Sequence, residues 1–252
     1  MTPQHDKSCA HVKVLLLAAG LGTRLRPLTD TTPKCLVPIA GRPLLDYWFD
    51  RLSEAGLHDV LINTHHLKEQ VRDYIQQVNR GGRFRVVESY EPQLLGSAGT
   101  ISANKDFVAG ADDCLIVYAD NLSDVCLREL IRFHRSHSDP FTMMLFRTPV
   151  PERCGIAEVD GAGRVVSFVE KPAHPKSDLA NAGVYVVTAD AFRKIADMRK
   201  FDLGFDVLPA FVGRMRGWLW DGYHADVGSP EAYQRAQIDA RALLNQVTQN
   251  QR

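Results

Sequence analysis

Leu15 to Pro38 reads LLLAAGLGTRLRPLTDTTPKCLVP, and the fold turns on this stretch. Val12, Val14, Leu15, Leu16 and Leu17 form a nearly unbroken apolar run, the pattern of a strand covered on both faces in a parallel sheet. The run stops at a glycine-bearing loop. Gly20 and Gly22 leave room for a ligand to approach the main chain, whose N–H groups can line a concavity suited to phosphate oxygens. Thr23 adds a hydroxyl, Arg24 and Arg26 add permanent cations, and Lys34 adds another charge beyond a proline-bracketed loop. Such a loop calls for a polyanion.

Two well-known phosphate loops fail on spacing. A Walker A loop needs glycine, four residues, then Gly-Lys-Ser/Thr; a dinucleotide loop needs a third glycine three places after the second, where this chain has Leu25. What remains, Gly20-Leu21-Gly22-Thr23-Arg24 followed by Pro33-Lys34, resembles the signature of the sugar-1-phosphate nucleotidyltransferases, which make nucleotide sugars.

Composition narrows the rest. At 252 residues, 45% apolar and 24% charged, the chain is long enough for one large α/β domain of ordinary globular composition. Formal net charge is zero, so neither nucleic acid nor an anionic membrane is expected as partner, and any anion site must be local. Cys9, Cys35, Cys114, Cys126 and Cys154 are odd in number, scattered and without a CxxC pair, which favours reduced thiols in a cytoplasm over disulfides or zinc. Val14 to Ala19 is too short for a signal-peptide core and lacks a preceding basic cluster, so export is not expected.

The expected fold is α/β: a single Rossmann-like domain with a mostly parallel mixed sheet flanked by helices, GT-A-like by the resemblance. Residues 1–10 are polar and expected to be loose. Pro43 to Ala55 puts Leu44, Leu45, Trp48, Phe49 and Leu52 on one helical face, with Gly56 as a stop. Asp59 to Asn63 reads as a strand, Leu67 to Val78 as a helix, and Arg83 to Glu88 as a third strand. That alternation implies right-handed crossovers onto a parallel sheet, with ligands outside the strands' carboxyl ends. Cys114 to Tyr118 is another apolar strand; it ends in Ala119-Asp120-Asn121, where a carboxylate is placed to hold a hard cation. Arg128 to His137 reads as helical and Phe141 to Phe146 as a strand. From Pro149 the texture changes: Gly155 to Val159, a Gly161-Ala162-Gly163 turn and Val165 to Glu170 make a hairpin pattern. Ala182 to Val187 is a buried strand, Phe205 to Val212 a short helix, and Trp218 to Asp221 a strand. Ser229 is a good N-cap, Pro230 suits the first helical position, and Glu231 complements the dipole of a terminal helix.

The resemblance runs from Lys13 to about Ala240. It implies a nucleotide-binding half at about 11–140, a sugar-phosphate half at about 141–235, and a terminal helix at about 230–246. By itself, Leu95 to Ser102 is a glycine turn; by resemblance it lies against the nucleotide base, with Ser97 where threonine is more usual. Nucleotide-binding residues are then Ala18, Ala19, Gly20, Gly22, Thr23, Arg24, Lys34, Gly96, Ala98 and Gly99. By itself Lys171 is a surface cation; within Glu170-Lys171-Pro172, and with Asn181 before a strand, it joins Asp120, Asn121, Glu170 and Asn181 as sugar-phosphate ligands. Arg24, Lys34 and Lys171 are the implied catalytic cations. Mg²⁺ is the implied cofactor, held by Asp120 and Asp226. Ala119 stands where glycine commonly precedes the first of these aspartates.

The implied partners are a nucleoside triphosphate and a sugar 1-phosphate, with room for a homodimer. Phe201 to Pro209 and Asp221-Gly222-Tyr223 look most like the mannose-1-phosphate or heptose-1-phosphate guanylyltransferase branch, so GTP and a manno-configured sugar are the expected pair. Thymidylyl or uridylyl transfer to glucose 1-phosphate is the alternative. A nucleotide-sugar sensor is a further reading, disfavoured because Arg24, Lys34, Asp120, Lys171 and Asp226 are all retained; a dehydrogenase is disfavoured by the missing third glycine. Transfer to a non-sugar acceptor is opposed by Glu170-Lys171-Pro172. His65, His66, His134, His137 and His174 show no metal-ligand spacing and read as surface or capping residues, and one of Trp218 and Trp220 as core.

Overall fold

The computed structural model describes residues 9–250, with side chains through 242; the loose segment expected at 1–10 lies outside these residues apart from Cys9 and Ala10. Among the described residues nine strands form one sheet. They are β1 (Val12–Leu17), β2 (Asp59–Thr64), β3 (Arg85–Tyr90), β4 (Asp113–Tyr118), β5 (Phe141–Arg147), β6 (Gly155–Val159), β7 (Val165–Glu170), β8 (Leu179–Thr188) and β9 (Met215–Leu219). The order along the sheet is β7-β6-β8-β4-β1-β2-β3, with β5 paired to β8 and β9 to β5. β4, β1, β2 and β3 are mutually parallel, while β8 runs antiparallel to β4, β5 and β6. One half is therefore a wound parallel sheet and the other a mixed extension of it.

Side-chain alternation explains why β1 reads as solid hydrophobe. Val14 and Leu16 face a core closed by α1 (Leu44–Ala55), α2 (Lys68–Arg80) and α4 (Leu127–His134); Leu15 and Leu17 face a second core closed by α3 (Ser97–Ala103) and α5 (Ala189–Met198). Both faces are dry. Truncating Leu16 to alanine would cost about 2–5 kcal/mol, the usual range for a fully buried leucine. A third, smaller core of Val37, Ile39, Leu44, Leu122 and Val227 lies under α6 (Pro230–Asn250), which Ser229 caps by accepting the Ala232 N–H at 3.2 Å.

Three features of the mixed half position the site. β8 is bulged between Asn181 and Tyr185, with Gly183 at φ +69°; a Cβ there would stand 3.0 Å from the Tyr118 ring. The bulge begins directly after Asn181, which itself stays paired with Leu145 of β5. The β6–β7 hairpin carries Glu170 and Lys171 to the same end of the sheet. Finally, Asn121–Ser123 and His224–Asp226 form a short antiparallel ladder in which Asp226 lies opposite Asn121, and the Val227 N–H donates to the Asp120 carbonyl at 3.1 Å. That ladder joins residues more than a hundred positions apart in sequence.

Three strands differ from expectation by two residues or more; β8 begins at Leu179, three residues before the expected Ala182, where Leu179 to Asn181 pair with β5. β3 begins at Arg85, because Phe84 packs edge-on against Phe49 at 4.9 Å before the strand starts. The strand expected at Trp218 to Asp221 is Met215–Leu219, parallel to β5; Trp220 leaves it to stack on Trp218 and donate its indole N–H to Asp124 at 2.9 Å.

Candidate active site

The loop after β1 is held from below. Ala18 and Ala19 donate their N–H groups to Asn63 Oδ1 at 2.6 and 3.3 Å, and Asn63 Nδ2 donates to Glu91 Oε1 and Thr100 Oγ1, each at 2.9 Å. Glu91 Oε2 accepts the Leu95 N–H at 3.0 Å. Asn63, Glu91 and Thr100 are all buried, so each depends on the others for its hydrogen bonds. The network ties the ends of β1, β2 and β3 to the Gly96 turn.

Above it lies a cleft of about 270 Å³ whose walls include Ala18, Ala19, Gly20, Leu94, Gly96 and Phe201. The two loop glycines have different reasons. A Cβ on Gly20 would meet nothing within 4 Å, so it opens onto the cleft, whereas Gly22 sits at φ +64° with a Cβ position 2.8 Å from Thr29. Gly22 is required by backbone shape and packing.

At the floor of the cleft Lys34, only 7% exposed, donates from Nζ to Asp120 Oδ2 at 2.6 Å and to Asp226 Oδ1 at 3.3 Å. Burial would lower the Lys34 pKa, but the two carboxylates outweigh it and hold the ammonium above its ordinary value. Arg24 Nη2 reaches Asp226 Oδ2 at 3.5 Å. Two aspartates thus already share one cation. Among the described residues no group of three or more His, Cys, Asp or Glu side chains could hold a metal. The donor set fits Mg²⁺ all the same, since that ion is typically held by one or two carboxylates with water and substrate phosphate completing the octahedron.

A second cleft, about 310 Å³, adjoins the first and shares Tyr118, Asp120 and Asp202 with it. Lys171 enters it from a left-handed backbone, φ +50°, an uncommon conformation for a non-glycine residue. Burial raises the Glu170 carboxyl above its ordinary value; Lys171 opposes that rise and Asp202 adds to it. Asn121 Nδ2 donates to the Ala182 carbonyl at 2.9 Å, and Asn181 Nδ2 donates to the Tyr185 hydroxyl at 2.8 Å. His224, its ring tilted against Phe146 at 4.9 Å, is lowered to about 4 by burial, so its ring is neutral at pH 7.

Of the residues the sequence nominates, Ala18, Ala19, Gly20, Lys34, Gly96 and Asp120 line the first cleft. Arg24, Asp120, Asn121, Glu170, Lys171, Asn181 and Asp226 line the second. Gly22 and Thr23 lie in the backbone turn behind the loop, and Ala98 and Gly99 lie behind the Gly96 wall, where the Ala98 N–H donates to the Phe201 carbonyl at 3.0 Å. Sequence reasoning gave no site role to Asn63 or Glu91, and named Ser97, Phe201, Asp202 and Phe205 only within motifs, without a role for each. A polar residue closing an apolar strand, as at Asn63, was the available signal. His134 is not a surface residue: it is buried, bonded through Nδ1 to Thr142 at 2.8 Å, with Nε2 3.5 Å from Asp113.

A family model for nucleotidyl transferases matches residues 13–242. The chain belongs to the nucleotidyl transferase family. Among its relatives, glucose-1-phosphate thymidylyltransferase of Streptomyces griseus is 38% identical over 187 residues, 73% of this chain and 52% of that protein. Mannose-1-phosphate guanylyltransferase of Mycobacterium tuberculosis is 32% identical over 234 residues, 90% of this chain and 64% of that protein. The chain thus spans about half to two thirds of the length of these curated relatives. Among solved structures, HddC from Yersinia pseudotuberculosis, complexed with GMP-PN, superposes with a TM-score of 0.75 at 24% identity, covering 90% of this chain and 98% of that one. This last likeness is one of fold. No helix among the described residues is long and apolar enough to cross a membrane.

Proposed function

We propose that this nucleotidyl transferase joins a nucleoside triphosphate to a sugar 1-phosphate, releasing pyrophosphate. The observation that carries the reading is the junction: Asp120 and Asp226 converge on Lys34 where the two clefts meet, with Arg24 and Lys171 in the wall of the second cleft. An oxygen of the sugar phosphate forms a bond to the α-phosphorus while the bond from that phosphorus to the β-phosphate oxygen breaks. Both reactants are anions, so the work is positioning and charge screening. Gly20 and the loop main chain receive the triphosphate, Arg24 and Lys34 neutralise it and the departing pyrophosphate, and Lys171 neutralises the attacking phosphate. Asp120 and Asp226 would hold Mg²⁺, which when bound stabilises charge on the reacting phosphates. A phosphate monoester is largely ionised at neutral pH, so no general base is assigned. Triphosphate substrates and cysteines that form no disulfide among the described residues suit a reducing cytoplasm.

For the substrates we favour GTP with a manno-configured sugar 1-phosphate, as the Phe201–Pro209 and Asp221–Tyr223 motifs suggest. In support, the M. tuberculosis guanylyltransferase aligns along 90% of this chain, against 73% for the thymidylyltransferase. The test is a matrix of ATP, GTP, CTP, UTP and dTTP against mannose, glucose and manno-heptose 1-phosphates, read by pyrophosphate release. GTP with a manno-configured acceptor is the expected best pair. A dTTP or UTP preference with glucose 1-phosphate would overturn the substrate assignment alone, and no release with any pair would overturn nucleotidyl transfer to these sugars.

A further inference from the structure

One short segment borders both clefts. Phe201 and Asp202 line the first; Asp202, Gly204 and Phe205 line the second. The two phenylalanines are 58% and 61% exposed, unusual for large apolar rings, and they sit four residues apart, Phe201 just before and Phe205 in the middle of a single π-helical turn, Leu203–Val207. Such turns are over-represented at functional sites.

The segment is fastened at both ends. On the first cleft's side the Phe201 carbonyl accepts the Ala98 N–H at 3.0 Å, and a Cβ on Gly96, which has φ +76°, would lie 2.3 Å from that carbonyl oxygen and 2.9 Å from the Phe201 ring. Only glycine lets the two segments come this close. Ser97 Oγ accepts the Leu203 N–H at 2.8 Å and donates to Asp202 Oδ2 at 3.3 Å, and Asp202 Oδ1 accepts the Phe205 N–H at 2.9 Å. On the second cleft's side a Cβ on Gly204 would lie 2.8 Å from Glu170 Oε2. A continuous chain, Ser97 to Asp202 to Phe205, therefore runs from the wall of one cleft to an aromatic face in the other. In that second cleft Lys171 Nζ stands 5.9 Å from the Phe205 ring centre, so a cation for a phosphate and an apolar face for a ring lie within the span of one sugar phosphate.

We infer that residues 201–207 form a shared wall reading both substrates: Phe201 is the platform for the nucleotide, Phe205 the platform for the acceptor's sugar ring, and the Ser97–Asp202 link couples the two sites. The inference rests on the reaction proposed above. It makes Phe201 and Phe205 specificity determinants and Ser97 a positioning residue. Because both rings are exposed, truncating either removes little that the folded chain needs. Coupling follows from the shared element, since a shift that one ligand imposes on either ring is carried through the Ser97–Asp202 link to the other.

The test is calorimetric titration of the full chain, with Mg²⁺, using the α,β-methylene analogues of GTP, UTP and dTTP, then mannose 1-phosphate and glucose 1-phosphate with and without the analogue that binds best. Phe201→Ala is expected to weaken that analogue roughly five- to a hundredfold, the span of base–aromatic stacking, with the sugar phosphate alone unchanged. Phe205→Ala is expected to weaken the sugar phosphate several-fold with the nucleotide unchanged, and Phe205→Tyr to restore it. Wild type is expected to bind each ligand more tightly in the presence of the other, and Ser97→Ala to diminish that mutual tightening by a larger factor than it weakens either ligand alone; wild type without mutual tightening would overturn the coupling. Both alanine variants matching wild type, or both losing the same ligand, would overturn the inference by itself. Wild type that binds none of the triphosphate analogues, or neither sugar phosphate, would overturn the underlying reaction and the inference with it.

Discussion

The two clefts share Tyr118, Asp120 and Asp202, yet their walls have different origins. The first hangs from the carboxyl ends of parallel strands, and its main chain is pinned by the buried Asn63–Glu91–Thr100 network. The second is assembled from a bulge, a hairpin and a three-residue ladder, with cations projecting from exposed or strained backbone. The first cleft's geometry is set by a strand, its turn and the asparagine one strand over. The second cleft's geometry depends on segments distant in sequence, so the two should fail in different ways when cut.

The largest effect is expected at the junction, where the comparison has no sides. Asp120→Asn and Asp226→Asn should each lower turnover about 10²-fold or more at limiting Mg²⁺ while far-UV circular dichroism stays native, because each removes a carboxylate that would hold the cation facing the reacting phosphates. Unchanged turnover in either variant removes that residue from the assignment. Next in size, Arg24→Ala and Lys171→Ala, both in the wall of the second cleft, should separate the two substrates, each costing roughly tenfold or more in binding, since each removes a charge-assisted contact. Arg24→Ala should weaken triphosphate, and pyrophosphate in the reverse reaction, whereas Lys171→Ala should weaken sugar 1-phosphate. Titrations in which both variants lose the same ligand would erase the division.

Asn63→Ala sharpens the contrast from below. It leaves Glu91 and the Ala18 and Ala19 N–H groups short of partners, so a loss of about 1–3 kcal/mol in urea unfolding is expected, together with weaker nucleotide binding. Sugar-phosphate binding should change little. A variant as stable as wild type would mean that the loop does not depend on the network.

The smallest effect is a control at the far end of β4, away from both clefts. Burial would raise the Asp113 carboxyl, but hydrogen bonds and charge from His134 and Arg135 outweigh it and hold it below its ordinary value. A depressed folded-state pKa means that the unfolded chain binds the proton more readily. The stability from Asp113 is therefore complete above the unfolded value of about 4 and is lost as pH falls through the lower folded value. Asp113→Asn should lower the thermal midpoint at neutral pH and flatten its acid limb; an acid limb as steep as wild type's would assign acid sensitivity elsewhere.

What could be read in the sequence follows the same division. The apolar run before Gly20 and the Gly20–Lys34 spacing were legible because strand, turn and charge are contiguous, and Asp120 was legible as the carboxylate that ends a buried strand. Lys171 and Asp226 became visible only through resemblance, since no local pattern says that a hairpin end and a segment after residue 220 meet Asp120. Lys34 was assigned to phosphate from its charge; that it bridges the two aspartates depends on a ladder pairing Asp226 with Asn121. Phe201, Asp202 and Phe205 were legible only as part of a motif resembling the guanylyltransferase branch, because which clefts they border is not written in local sequence. The boundaries of β3 and β9 shifted where aromatic packing, Phe84 on Phe49 and Trp220 on Trp218, overrode strand propensity.

The pairing of Asp120 with Asp226 is the central claim, and electron paramagnetic resonance titration of Mn²⁺ tests it most directly, with and without the α,β-methylene analogue of GTP. Wild type should bind Mn²⁺ more tightly when the analogue is present, and Asp120→Asn and Asp226→Asn should each abolish that tightening. Tightening that survives intact in either variant would contradict a shared cation-binding pair at the meeting point of the two clefts.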